Sequence, residues 1–110
     1  MRIQLTTWQR AGLIMAVSQA RGNVGVLRLG LEALEALEWT EEEREEIGYR
    51  EVGGRAEWNE AGADRVWEVD LGEKAARFVA GVVEGFGGWP VARAEEVFRL
   101  IEELRREGDE

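Results

Sequence analysis

The side chains able to do chemistry in this sequence are carboxylates and arginines. There are 23 Asp and Glu against 14 Lys and Arg, with no His and no Cys. Without Cys there is no thiolate nucleophile, no disulfide and no Cys-ligated zinc or iron–sulfur site, and without His the commonest general base and metal ligand is missing. What stays open is acid–base work or Mg²⁺ binding by paired Asp and Glu, and no acid falls in a motif with a specific catalytic spacing. Glu57, Asn59, Gly62 and Glu68 do match positions 1, 3, 6 and 12 of a calcium loop, but Ala61 stands at the ligand position 5 and position 1 is Glu where Asp is expected. Strands rather than helices are predicted on either side, so a turn explains these residues. Gly22-Asn23-Val24-Gly25 lacks the length and the Lys of a phosphate-binding loop. No catalytic residue, metal or cofactor is assigned, and the weight moves to binding.

For binding, the placement of charge matters more than its sum of −9. Residues 1–30 hold Arg2, Arg10, Arg21 and Arg28 and no acid, while every acid lies beyond them. The densest stretch runs from Glu32 to Glu46, where eight Glu accompany a single Arg44. Such a run is either a solvated helix face or an acidic surface for a basic partner. The second reading makes Glu32, Glu35, Glu38, Glu41, Glu42 and Glu45 the candidate partner-binding residues. Trp89 joins them, because it lies between Gly87-Gly88 and Pro90 with the least obvious packing duty of the five Trp. An exposed Trp is a frequent binding anchor, and loop packing is the alternative. Thirteen of the fourteen bases are Arg, which with the Glu-rich helices points to a GC-rich, thermophilic source.

The elements that must carry these residues follow from periodicity. With 110 residues and 45% hydrophobic content, the chain reads as one domain over 1–110. A first helix is predicted from a Thr6 or Thr7 cap to about Ala20, apolar around most of its circumference. A second runs from about Val24 to Leu37 with Leu27, Leu31 and Leu34 as its core stripe, opposite Arg28, Glu32 and Glu35. Thr40 and Glu43 form a capping box and Gly48 a stop, giving a short helix from Glu41 to Ile47. Gly53-Gly54 suits a two-residue hairpin turn that pairs Val52 with Arg55 and Arg50 with Glu57. The alternation of Val66 to Leu71 predicts a third antiparallel strand. Two helices follow: Glu73 to Phe86 places Ala75, Phe78, Val79, Val82 and Phe86 on one face, and the helix after Pro90 has Ala94, Val97, Phe98, Ile101 and Leu104 as its core stripe. The expectation is an α+β fold: three N-terminal helices, a small three-stranded antiparallel β-meander and two C-terminal helices, in winged-helix-like order.

From Trp39 to about Val83 the features resemble those of small uncharacterised proteins encoded by bacteriophages and prophages. The resemblance is carried by the WTEEE helix start at 39–43, Gly48, the Gly53-Gly54 turn, Trp58-Asn59, the Glu68-Val69 strand and the GEKA helix start at 72–75. It implies a phage or mobile-element accessory protein and brings no catalytic residues. The longest uninterrupted apolar run, Leu13 to Val17, is far short of the ~20 residues of a spanning helix, and a cytoplasmic protein with no membrane contact is expected.

Two functions follow as expectations. The first is a non-enzymatic protein–protein interaction module whose acidic helical face docks on a protein with a basic, nucleic-acid-processing surface. The second is a winged-helix-like DNA-binding regulator using the basic N-terminal part, with Arg10 and Arg21 as its phosphate contacts. Direct nucleic-acid binding is disfavoured because the third helix, TEEEREEIG, would repel phosphates. A homodimer is compatible with both.

Overall fold

The computed structural model describes residues 1–106. Its first element is a strand that the sequence reading passes over, β1 (Arg2–Thr6), followed by α1 (Thr7–Ser18), α2 (Val24–Leu37) and α3 (Glu41–Ile47). A hairpin of β2 (Arg50–Val52) and β3 (Arg55–Glu57), a single helical turn α4 (Glu60–Ala63) and β4 (Val66–Asp70) come next, and α5 (Glu73–Gly85) and α6 (Ala94–Arg105) close the chain. The fold is α+β, but the three-stranded meander is not formed. β4 leaves the hairpin and pairs antiparallel with β1, so there are two separate two-stranded sheets.

The reason lies in β1 itself. Arg2-Ile3-Gln4-Leu5 alternates polar and apolar just as β4 does, and pairing the two sets Ile3 against Val69 and Leu5 against Trp67 on one face. All four side chains are buried there, while Arg2, Gln4, Glu68 and Asp70 face outward. The hairpin has no such inner face: every residue of β2 is exposed, so it offers β4 nothing to bury. Three helices and a hairpin do follow one another, but β1 precedes them and β4 joins β1 rather than the hairpin, so the exact order differs from the predicted one. The hairpin turn itself forms as predicted, with Gly53 and Gly54 at φ of 58° and 79°, Val52 opposite Arg55, and Arg50 opposite Glu57 at 3.3 Å.

The main core lies between the β1–β4 ribbon and helices α1, α2, α5 and α6. It is built from Ile3, Leu5, Leu13, Leu37, Val69, Val79, Leu100 and neighbours. A second, smaller core holds Trp39, Ile47 and Trp67, with Tyr49 and Trp58 against it. The two meet along α1, which runs through the middle. Its Thr6 cap is a capping box with Gln9, and the fully buried Thr7 ties three elements together. The Thr7 hydroxyl donates to the Gly62 carbonyl at 2.6 Å and accepts the Trp67 indole N–H at 2.9 Å. Thr7→Val keeps the shape and leaves both groups without a partner, so it is expected to cost about 1–3 kcal/mol in urea unfolding. Thr7→Ser, which keeps the hydroxyl, is expected to cost markedly less.

α2 is rotated relative to its predicted stripe, whereas α5 and α6 bury part of theirs, Ala75 and Val79 on the one and Val97 and Leu104 on the other. On α2 the buried residues are Ala33 and Leu37, while Leu27 and Leu31 are exposed by 53% and 61%. On α5 they are Ala75, Ala76, Val79, Ala80 and Val83, with Phe78 and Val82 at the margin. On α6 Leu100 takes the core position expected of Phe98, which stands outside. Both α2 and α5 are apolar on more than one side, and periodicity alone does not say which side the neighbouring elements cover. No helix of the described residues is long and apolar enough to cross a membrane.

Candidate functional site

The acidic run straddles the turn from α2 into α3. α2 stops at Leu37 because Glu38 adopts an extended ψ of 138°, and Trp39 turns inward to the small core, 6% exposed. Thr40 then caps α3: its side chain accepts the Glu43 amide at 3.1 Å and the Glu43 carboxylate accepts the Thr40 amide at 2.9 Å. Gly48, at φ of 61°, ends the helix. This is the capping box read from the sequence, and it sets three Glu in the first turn of α3, where the helix dipole favours them.

What the sequence reading misses is the group that holds this turn. Arg10, on α1, is 3% exposed. Its Nε–H donates to the Leu37 carbonyl at 2.8 Å and its Nη2 to the Glu38 carbonyl at 2.9 Å, two of the carbonyls that a helix end leaves without partners. The other face of the guanidinium fork meets both carboxylate oxygens of Glu43, each at 3.0 Å. The guanidinium plane lies 4.1 Å from the Trp39 ring centroid and 5.2 Å from that of Trp67. One cation therefore closes α2, opens α3 and stacks in the small core. The expectation that Arg10 contacts phosphate is corrected: the side chain is enclosed, and every contact it makes is internal. The signal was the pairing of a lone base on an apolar helix with a capping Glu, which spacing across 33 residues does not reveal.

Glu43 responds to this setting. Burial pushes its carboxyl up, but the Arg10 hydrogen bonds, the Thr40 amide and the Arg10 charge outweigh that, and the net pKa lies below the ordinary carboxylate value. A depressed folded-state pKa stabilises the fold above the unfolded value of ~4.3 and loses that contribution as pH falls through the folded one. The Tm gap between wild type and Glu43→Gln is therefore expected to be full at about pH 6 and to narrow toward about pH 3, as read by calorimetry. A gap that widens with acid contradicts this arrangement.

The six acids singled out by sequence behave differently. Glu32, Glu35, Glu38, Glu41, Glu42 and Glu45 are all exposed. Among the described residues none of them forms an ion pair, whereas the other two members of the run, Glu43 and Glu46, are paired with Arg10 and Arg65. Arg28 and Glu32, four residues apart and so spaced to pair on the wet side of α2, do not form an ion pair, and Arg44, the only base within the run, leans over the Tyr49 ring with its Cζ 5.5 Å from the centroid. The uncompensated charge is costly. Like charges three or four residues apart destabilise a helix by about 0.2–0.5 kcal/mol each, and Glu35 and Glu38 sit at the negative end of α2, where acids are unfavourable.

Trp89 is not brought to this surface. It is half-buried, its rings packed against Trp8 at 5.9 Å and Phe86 at 5.0 Å, and its indole N–H donates to the Val83 carbonyl at 2.9 Å. A Cβ at Gly12 would lie 2.9 Å from its ring, so the close approach of α1 to the loop before Pro90 is built around it. Its duty is packing. Among the basic N-terminal residues Arg21 and Arg28 remain exposed, and Arg2 lies 3.7 Å from Glu68. The residues of the calcium-like spacing serve the fold: Asn59 accepts the Ala61 amide and starts α4, and Gly62 is pressed against Ile47. Comparison of the chain with protein-family models, with curated proteins and with solved structures gives no match, so the reading of this surface rests on its own residues.

Proposed function

We propose that this chain is a non-enzymatic protein–protein interaction module that docks on a basic protein surface through the acidic turn between α2 and α3. The observation that carries the reading is the set of six exposed, unpaired Glu on a turn clamped from inside by Arg10. The fold spends stability to keep these charges uncompensated while the one acid it needs, Glu43, is fully paired. A fixed patch of one sign raises the rate of encounter with an oppositely charged partner and disfavours partners of like charge. A surface that normally holds nucleic acid is the partner of matching chemistry. The resemblance of residues 39–83 to phage and prophage proteins supports placing the module among accessory factors of a phage or mobile element, acting on host or phage machinery in the cytoplasm.

The test is affinity capture from lysate with a salt-gradient elution, run in parallel with the Glu41→Lys/Glu42→Lys/Glu45→Lys chain. Elution at moderate salt of one nucleic-acid-processing protein, absent from the reversed chain, supports the reading. Recovery of DNA alone, or equal capture by both chains, contradicts it.

A further inference from the structure

A groove of about 830 Å³ runs between the C-terminal end of α1 and α5. Its walls are apolar, with Ala16, Ala20, Val26, Phe78, Val82 and Phe86, and Gly81 and Gly85 add bare helix backbone. A Cβ at either glycine would meet nothing within 4 Å, so no packing inside the chain calls for them, although Gly81, in the interior of α5, weakens the helix by ~1 kcal/mol relative to Ala. The charged residues lining the groove are Arg21 and Arg77. Alongside lies a depression of about 280 Å³ walled by Leu27, Leu31 and Leu34 of α2, and it shares Ala20, Val26 and Phe78 with the groove. Groove and α2 ridge therefore form one continuous apolar face, of a kind that marks an interaction site.

We infer that this face is covered by a second copy of the chain, the Val24–Leu27–Leu31 ridge of each copy lying in the α1–α5 groove of the other. A two-fold dimer requires one patch that complements itself, and here ridge and groove stand side by side on one face. The charges match in the same sense. The ridge is followed by Glu35, exposed and in no ion pair among the described residues, and by Glu32, also exposed, whose carboxylate lies over Gly72 at the start of α5, while the groove carries Arg21, for which the described residues supply no carboxylate partner, and Arg77. Arg77 reaches Glu73 at 2.9 Å, but both side chains are largely exposed, and such a pair exchanges readily for another carboxylate. The glycines let the incoming helix approach α5 closely. Glu38, Glu41, Glu42 and Glu45 are not used, so the dimer presents two acidic turns.

Sedimentation equilibrium on three chains tests this. Wild type is expected at twice 12.4 kDa. Arg21→Glu/Arg77→Glu and Glu32→Arg/Glu35→Arg, all at exposed positions, are each expected to be monomeric, because each opposes like charges at both halves of the interface. Their equimolar mixture is expected to restore the dimer mass, since acid then meets base at both. Monomeric wild type at the highest soluble concentration overturns the proposal and leaves the groove to a segment of another protein. Dimers of both variants alone, or a mixture that stays monomeric, overturn it as well. Glu32→Arg/Glu35→Arg removes two of the six acids of the proposed docking surface, so capture of a basic partner is compared between wild type and Arg21→Glu/Arg77→Glu, which keeps all six, and the two readings are tested separately.

Discussion

Arg10→Met is expected to lower the stability of the fold by about 3–5 kcal/mol, the cost of removing one partner from an enclosed ion pair. Met fills much of the same volume, so the loss is electrostatic rather than a cavity. Three acceptors are stranded at once: the carbonyls of Leu37 and Glu38 and the carboxylate of Glu43, which now bond to a single guanidinium. Set against a total stability of roughly 5–15 kcal/mol for a domain of this kind, the change corresponds to a Tm lower by about 15–25 °C. Arg10→Lys keeps the charge but not the fork, and an ammonium cannot hold two carbonyls and a bidentate carboxylate in one plane. It is expected to cost about 2 kcal/mol. A double-mutant cycle of Arg10→Met with Glu43→Gln should give a combined loss about 0.5–3 kcal/mol smaller than the sum of the two, because Gln needs no counter-charge. If Arg10 faced outward to contact phosphate, Arg10→Met would leave the Tm where it is.

The second large effect concerns binding rather than folding. Reversing Glu41, Glu42 and Glu45 to Lys turns three exposed, unpaired acids on the seven-residue helix α3 into bases. Like charges set against a basic partner cost several kcal/mol, so capture is expected to weaken by about 100-fold or more, with most of the rate change in association and a flatter dependence on salt. The fold should tolerate the change. Lys at the first turn of α3 loses about 0.3–1 kcal/mol of dipole stabilisation per residue; the pairs 41–45 and 42–45 stay like-charged, while a Lys at position 42 gains an opposite charge four residues on in Glu46, which returns about a few tenths of a kcal/mol. The Tm is therefore expected to move by only a few degrees, which separates this variant from Arg10→Met. In Arg10→Met the acids are intact but their mounting is loosened, so it should lose affinity only as the turn loses its shape.

Local chemistry was the legible part of the fold. The capping box at Thr40 and Glu43, the Gly48 stop and the Gly53-Gly54 turn each depend on residues within a few positions, and each forms as read. The errors are all matters of which partner an apolar surface finds. β4 was read as a strand correctly, but its partner is β1, a five-residue alternation that runs directly into the α1 cap. α2 carries more apolar residues than one face can bury, so periodicity puts Leu27 and Leu31 in a core that instead takes Ala33 and Leu37, and on α6 it puts Phe98 where Leu100 is buried. The candidate acids were legible because unpaired charge in a run is visible in sequence. Their clamp was not, because Arg10 reads as one of four N-terminal bases until the fold places it against Glu43. Trp89 shows the same limit from the other side: flanking glycines suggested a free aromatic, and they turn out to let Trp89 fold back on Trp8 and the Val83 carbonyl.

The central claim is that the unpaired acids of the α2–α3 turn are a docking surface. It is tested most directly by measuring association and dissociation rates of the captured partner with wild type and with Glu41→Lys/Glu42→Lys/Glu45→Lys, across a salt series, with both chains shown by melting to be folded. The wild-type association rate is expected to fall steeply with salt, and the reversed chain to bind at least about 100-fold more weakly at low salt. Equal rates for the two folded chains, with no dependence on salt, would contradict it.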